Sequence, residues 1–431
     1  GANGFDITNT GNPSMFGYDN DNQTWNAVPN TDATNLITGV PYRLMVRGDR
    51  TVDLLDNFAT PSITTLIAKG ELTSENTNPS PVALNETAGG FSFIGNPFQA
   101  QIDMDTVLNS NSTNVLSQFY WVWDPTLGIR GAYATVMLDS GTASAGEQNQ
   151  YLQAGQACFV QTMASNPASL TFTQASKSTV DTETNVFRSS GDKTAVSGKL
   201  NLKLYEREAY TSNKTEADGL WIFFDDAGNN DLDGYDAAKF TNLDENFAIA
   251  NNNNLLSIEN RATAIDSDKI QLHISTYRNS QYTLVAKTEG LTGETPFLHD
   301  AYTNIYTELP LNGSVEYSYS VDENISASIA EDRFTIVYQV VSLSVTKQEI
   351  IGIQMYPNPT SLGKFYLNIP LGMDDLEVEI YSTLGAKLYH TNEFTPGSKT
   401  SINTNFALSQ GVYFVNLSSQ GETVTKKLVV D

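Results

Sequence analysis

Short runs in which apolar and polar residues alternate recur along much of the chain. Leu200-Asn201-Leu202-Lys203-Leu204-Tyr205, Lys269-Ile270-Gln271-Leu272-His273-Ile274, Gln281-Tyr282-Thr283-Leu284-Val285-Ala286 and Arg333-Phe334-Thr335-Ile336-Val337-Tyr338 are the clearest. A period of two predicts strands with one buried and one wet face. Turn residues punctuate at short spacing, at Gly95-Asn96-Pro97, Gly141, Gly228-Asn229-Asn230 and Asn312-Gly313. The best short helical candidate is 104–116. Many short strands separated by such turns predict an all-β chain of three consecutive β-sandwich domains. A polar stretch rich in Ser, Thr and Asp at 174–193 predicts a linker. A second break is expected at 341–353, ahead of Tyr356-Pro357-Asn358-Pro359, because two prolines around an Asn cannot continue a ladder. The expected units are therefore 1–180, a β-rich sandwich module; 186–343, a β-sandwich module; and 347–431, a small seven-stranded Ig-like sandwich.

The last unit carries the most specific pattern. Gly363-Lys364-Phe365-Tyr366-Leu367-Asn368-Ile369 sets Phe365, Leu367 and Ile369 on one face, and Leu376, Val378 and Ile380 repeat the alternation. Ser382-Thr383-Leu384-Gly385 reads as a turn. Gly411-Val412-Tyr413-Phe414-Val415 and the terminal Thr425-Lys426-Lys427-Leu428-Val429-Val430-Asp431 read as strands. Taken in this order, the Tyr-Pro-Asn-Pro-Thr segment, the Gly-Lys-Phe strand, the Ile-Tyr-Ser-x-Leu-Gly turn, the Gly-Val-Tyr-Phe-Val strand and the Lys-Lys-Leu-Val-Val end resemble the type A C-terminal sorting domain of the Bacteroidota type IX secretion system. The resemblance covers roughly 350–431.

That resemblance implies export, with the chain secreted or displayed at the cell surface. It implies an outer-membrane translocon, an outer-membrane shuttle β-barrel and a sortase-like peptidase as partners. Carried over position by position, it implies sorting-signal roles for Tyr356, Pro357, Asn358, Pro359, Gly411, Tyr413, Lys426, Lys427 and Leu428. The prolines serve equally as turn formers, Gly411 as a positive-φ residue and Tyr413 as strand packing. Adjacent Lys426 and Lys427 point to opposite faces of a strand, which leaves one of them to meet a partner. More loosely, the upstream units resemble repeats that precede such domains in large Bacteroidota surface proteins. The cues are Phe93-Ile94-Gly95-Asn96-Pro97-Phe98, Tyr120-Trp121-Val122-Trp123-Asp124-Pro125 and Tyr151-Leu152-Gln153-Ala154-Gly155-Gln156-Ala157, then Asp236-Ala237-Ala238-Lys239-Phe240, Leu298-His299-Asp300 and Asp332-Arg333-Phe334. They imply display or adhesive modules and no transferable activity.

Charge narrows the partners. The chain of 431 residues carries 24 Lys and Arg against 49 Asp and Glu, a formal net charge of −25. Such a chain is repelled by phosphate backbones, which argues against nucleic acid, and by anionic membrane surfaces. No apolar run approaches the length of a spanning helix, so direct membrane insertion by a helix is not expected. The first residues, Gly1-Ala2-Asn3-Gly4-Phe5, lack the basic and apolar regions of a signal peptide. The pattern of Phe5, Ile7 and the turn Asn9-Thr10-Gly11-Asn12-Pro13 favours the C-terminal piece of a longer protein over a processed start.

Candidate chemistry is sparse. Cys158, within Ala157-Cys158-Phe159-Val160, is expected as a buried core residue. His273 lies on the wet side of a strand, and His299 and His390 lie near strand ends. No closely spaced His pair, no Gly-x-Ser-x-Gly elbow and no phosphate-cradling loop is present, so no enzyme is expected. The acidic stretch 225–236 approaches the start of a calcium loop through Asn229, Asp231, Asp233 and Gly234, with Asp236 as a further carboxylate for Ca²⁺. Its twelfth position is Phe240, not Glu, and a solvated hairpin loop explains the same residues. Trp121 and Trp123 share one strand face and are either a glycan-stacking pair, which makes a cell-surface glycan-binding module the alternative function, or core packing. Asp105-Thr106-Val107 resembles a Bacteroidota O-glycosylation acceptor centred on Thr106.

Overall fold

The computed structural model describes residues 5, 11–49, 51–53, 56, 59–60, 62–67, 69–74, 83–178, 198–338, 353–361, 364–369, 375–394, 399–404, 408–419 and 422–431. The turn at 9–13, the linker at 174–193 and the break at 341–353 fall wholly or partly outside them. The chain divides into two compact units, Gly1–Gln339 and Val340–Asp431. Strands dominate both, as the alternation predicts.

In the first unit a five-stranded antiparallel sheet runs in the order Phe91–Gly95, Ala157–Gln161, Phe119–Asp124, Ala132–Met137 and Thr142–Ala143. A larger sheet gathers eleven strands between Gly198 and Val337. Toward one end of it Gly198–Glu206 lies between Asp218–Asp225 and Gln281–Glu289. Asp218–Asp225 and Asn254–Ala262 run parallel. The expected alternation holds in the side chains: Leu200, Leu202, Leu204, Ile270, Leu272 and Ile274 are buried in the larger sheet's own core. His273 between the last two is half-buried.

The residues of the first two expected modules share a core within this unit. Phe93, Phe119, Trp121, Tyr133 and Phe159 pack with Phe223, Ala237 and Ile258 in one aromatic-rich cluster. Polar pairs tie the same elements: the indole N–H of Trp121 donates to the carbonyl of Ala238 (2.9 Å), that of Trp221 to Ala143 (2.9 Å), and the hydroxyls of Thr135 and Ser257 meet at 2.7 Å. Phe119–Asp124 is buried on both faces, because Tyr120 and Val122 fill a second cluster on the other side. This is why the run Phe-Tyr-Trp-Val-Trp is continuously apolar rather than alternating.

The helix expected over 104–116 is shorter. It spans Met104–Ser110, capped by the Asp103 side chain on the amide of Asp105, and ends within the polar run that starts at Asn109. Asn and Ser compete for the backbone there, and Ser112–Thr113 pairs instead with Ser169–Leu170.

The second unit contains seven strands among the described residues. Gln354–Tyr356, Lys364–Asn368 and Lys399–Asn403 form one sheet; Lys387–Thr391, Glu377–Ser382, Gly411–Ser419 and Glu422–Val430 form the other. Their inward residues, among them Phe365, Leu367, Val378, Ile380, Val415, Leu417 and Leu428, make a single core. Gly385 closes the hairpin at φ +81°, a conformation that favours glycine.

Candidate functional site

Glu422–Val430 is the outermost strand of its sheet, paired on one side with Gly411–Ser419. Its other side receives the Pro-Asn-Pro segment. The Asn358 side chain donates from Nδ2 to the carbonyl of Lys427 (2.7 Å) and accepts at Oδ1 from the amide of Val429 (2.9 Å). Thr360 continues the contact, donating to the carbonyl of Val429 (2.9 Å) and accepting from the amide of Asp431 (3.0 Å). The physical reason lies in the flanking residues. Pro357 and Pro359 have no N–H, so a Pro-flanked backbone cannot supply a strand's donors. An Asn side chain offers one donor and one acceptor in the geometry of a peptide group and supplies them instead. Both Tyr356-Pro357 and Asn358-Pro359 peptides are cis. The two motifs that lie furthest apart in this unit are thus one structure. Asn358→Ala removes two exposed hydrogen bonds and is expected to lower the stability of the sorting unit by about 1–2 kcal/mol, read as a shifted midpoint in urea denaturation.

The remaining signal positions divide by exposure. Leu428 is fully buried, so its part is to hold the strand from within. Lys426 lies on the same face as Leu428, half-buried, with its ammonium pKa lowered by burial. With Ile353, Gln354, Met355, Tyr356, Asn358 and Lys427 it lines an open groove. Lys427 is exposed on the opposite face, directly across the ladder from Phe414, itself 41% exposed. Gly411 begins its strand in a near-extended conformation (φ +158°) and pairs with Val430. Tyr413 packs on the core and donates its hydroxyl to the carbonyl of Ser409 (2.8 Å). Beside the groove, the ammonium of Lys399 sits 4.9 Å from the Tyr356 ring centroid and 4.3 Å from that of Tyr366. Nothing local in the sequence marks Lys399 or Tyr366; the register Tyr356–Tyr366 and Asn368–Lys399 brings them together.

In the same unit Glu377, Glu379 and His390 bring one ligand atom each within 4.8 Å of the others. His390 Nε2 lies 2.6 Å from Glu377 Oε1. Lys387 already supplies a positive charge to Glu379, and the Tyr381 hydroxyl donates to the other oxygen (2.7 Å).

The sites expected in the first unit are placed less favourably. Trp121 is fully buried, its indole edge-on to Phe91 with ring centroids 4.9 Å apart. It presents no face to a sugar, which corrects the glycan-stacking expectation for this ring. Trp123 is half-buried, edge-on to Tyr133 at 4.9 Å, and Gly131 closes over it so tightly that a Cβ there would lie 2.7 Å from the indole. Cys158 is buried, as expected, and burial pushes its thiol pKa up. Thr106 lies in the first turn of Met104–Ser110, half-buried, its hydroxyl donating to Asp103 Oδ2 (3.1 Å).

In the acidic loop Asp231 is exposed, and the other two carboxylates are taken up by amides of the loop and of the strand Asn254–Ala262. Asp233 Oδ1 accepts from Tyr235 (2.8 Å) and Oδ2 from Asn229 Nδ2 (2.7 Å). Asp236 accepts from the amides of Asn260 and Asp233, each at 2.9 Å. The contacts among 229–236 are those of a folded Asx turn, and that to Asn260 ties the loop to the strand Asn254–Ala262. Burial, opposed by those two amides and reinforced by the charges of Asp233 and Glu259, pushes the Asp236 carboxyl up to about 6. Between its ordinary pKa near 4 and that value, the folded chain holds a proton that the unfolded chain has released. The stability of the first unit is therefore expected to fall as pH rises through this window. Asp236→Asn should flatten that segment of the curve of denaturation midpoint against pH.

Comparison with known proteins follows the same division. The family described as Domain of unknown function (DUF8693) matches residues 7–338, and that described as Secretion system C-terminal sorting domain matches residues 354–431. The chain is thus a type IX secretion cargo with a C-terminal sorting domain, exported across the outer membrane to the cell surface or the medium. No curated protein matches it. Among solved structures, it is similar to PorZ, an essential bacterial surface component of the type-IX secretion system of Porphyromonas gingivalis, at 14% identity with a TM-score of 0.17. That likeness covers 43% of this chain and 25% of the PorZ chain. Among the described residues no helix is long and apolar enough to cross a membrane.

Proposed function

The chain belongs to the family described as Domain of unknown function (DUF8693), and from that premise we propose that its terminal sandwich is read by the export machinery without any chemistry of its own. The recognised surface is the outer strand Glu422–Val430 with the Pro-Asn-Pro segment pinned to it. Lys427 stands exposed beside Phe414 at the rim of the groove that Lys426, Met355 and Tyr356 line. The outer-membrane translocon and the shuttle β-barrel bind this surface. A sortase-like peptidase then cuts within 341–353. The first unit is the delivered cargo, a display or adhesive module and not an enzyme. The observation that carries the reading is the double hydrogen bond of Asn358 to Lys427 and Val429. It makes the start of the sorting domain and its last strand one surface. The exposed cation of Lys427 supports a polar contact, since exposed charges contribute more to partner choice than to fold.

The test is export of a fluorescent protein, carrying a signal peptide and fused to residues 347–431, in a type IX-competent bacterium. The intact fusion should reach the surface or medium, and the fusion lacking 425–431 should remain in the periplasm. Lys427→Glu should reduce export at least tenfold while leaving the domain's melting temperature unchanged. Export that survives both changes would sink the proposal.

A further inference from the structure

Asp218 opens the strand Asp218–Asp225, and Lys239 follows the short strand Ala237–Ala238. Their side chains are 0% and 2% exposed. Lys239 Nζ lies 2.9 Å from Oδ1 and 2.7 Å from Oδ2 of Asp218. The amide of Gly219 donates to Oδ1 (2.9 Å). The amide of Phe247 (2.8 Å) and Nδ2 of Asn242 (3.0 Å) donate to Oδ2. An amine and a carboxyl are therefore held against each other in a dry site, with N–H donors fixed on both oxygens. Among the described residues, the other ion pairs of the unit lack one part of this set. Arg333 and Asp300 are as deeply buried, but a guanidinium stays protonated and is no nucleophile. Lys203 faces Glu216 with a third of its side chain in water.

We propose that Lys239 and Asp218 become joined by an intramolecular isopeptide bond. Burial opposes two separated charges more than a neutral amine beside a neutral acid, so a proton passes from Nζ to Oδ1. Burial also raises the Asp218 carboxyl above its ordinary pKa, against the pull of Lys239 and the two amides. The freed amine attacks Cγ, and the negative charge that develops on Oδ2 is met by the Phe247 amide and the Asn242 side chain, donors already in place. A second proton moves from nitrogen to Oδ1, the Cγ–Oδ1 bond breaks and water leaves. Ammonium plus carboxylate becomes amide plus water, so the step balances with no oxidant or further reactant. Fixed proximity supplies the driving advantage that a free amine and acid lack. The bond would close residues 219–238, with the acidic loop inside them, into a covalent ring.

The experiment is intact-mass and tryptic peptide analysis of the full chain. The bonded chain should weigh about 18 Da less than its sequence, the mass of the expelled water. Trypsin should fail to cut after Lys239, so that 215–261 appears as one bridged peptide in place of 215–239 and 240–261. Lys239→Met should restore the full mass. An unmodified mass with free 215–239 overturns the proposal, as does a loss of about 17 Da mapped between Lys239 and Asn242, which would be ammonia and a different bond. The wild-type mass decides the question whether or not the variant folds.

Discussion

Arg333→Ala is expected to cost the first unit about 3–5 kcal/mol, because it strands a buried carboxylate without its partner. Both side chains of the pair are 1% exposed. The guanidinium binds Asp300 through two parallel hydrogen bonds, Nε to Oδ1 (2.8 Å) and Nη2 to Oδ2 (2.7 Å). Its remaining nitrogen, Nη1, donates to the carbonyls of Ser320 (3.0 Å) and Ser328 (2.9 Å). The rings of Tyr302, Tyr319 and Phe334 all lie about 5 Å from it. Lysine cannot reproduce the fork, so Arg333→Lys should recover only a part of the loss. The pH dependence gives a second signature. Burial would raise the Asp300 carboxyl, but Arg333 and the Tyr317 hydroxyl together hold it below its ordinary range. In the wild type the pair's contribution is therefore complete at neutral pH and lost as pH falls through the lowered value. In Arg333→Ala the carboxyl rises instead, and protonation relieves the variant. The gap between the two urea midpoints should narrow from pH 7 to about pH 4. A variant as stable as wild type at neutral pH would show that the pair is not buried as described.

Trp121→Ala should cost about 3–5 kcal/mol as well, from lost burial and the cavity it leaves. The ring has no exposed surface, and its N–H satisfies the carbonyl of Ala238. Trp123→Ala, half-buried against Tyr133, should cost less. A glycan array separates packing from binding. Both variants should give the wild-type pattern on the array while the first melts at a lower temperature. Sugar binding that Trp121→Ala abolishes in a chain of unchanged stability would restore the stacking reading.

Much of the fold was legible where one face is wet and the other dry. Leu200, Leu202 and Leu204, or Ile270, Leu272 and Ile274, announce their strands because burial repeats every second residue. The shared core of the first unit was not legible. An aromatic strand face says that it is covered, not by what, and Trp121 meets Ala238 across more than a hundred residues with no local signal. The continuous run at 119–123 did contain the missing information, since a strand apolar on both faces must lie between two layers. At the sorting site, motif order located the residues, and their union required the fold. That Asn358 reaches Lys427 follows from the chemistry of a Pro-flanked amide only once the outer strand is in place. The looser cues to surface repeats turn out to contain Lys239, Asp300 and Arg333, half or more of two buried ion pairs. Their charge was visible in the sequence; their pairing was not, because the partners are distant along the chain.

The order of strands in the larger sheet also sets a timetable. Lys199 pairs with Glu289, and Phe334–Val337 lies between Lys269–Ser275 and Phe297–Asp300. Each of these pairings closes a long loop before it returns any contact energy. Pairings between segments so far apart along the chain form slowly, because each loop must close first. This also makes the last-made strand of the sheet decisive: until Phe334–Val337 has been synthesised, its two neighbours expose unpaired backbone. During that interval the growing chain is a template for aggregation. Prompt pairing of that strand therefore bears on the yield of folded chain as well as on the stability of the finished sheet.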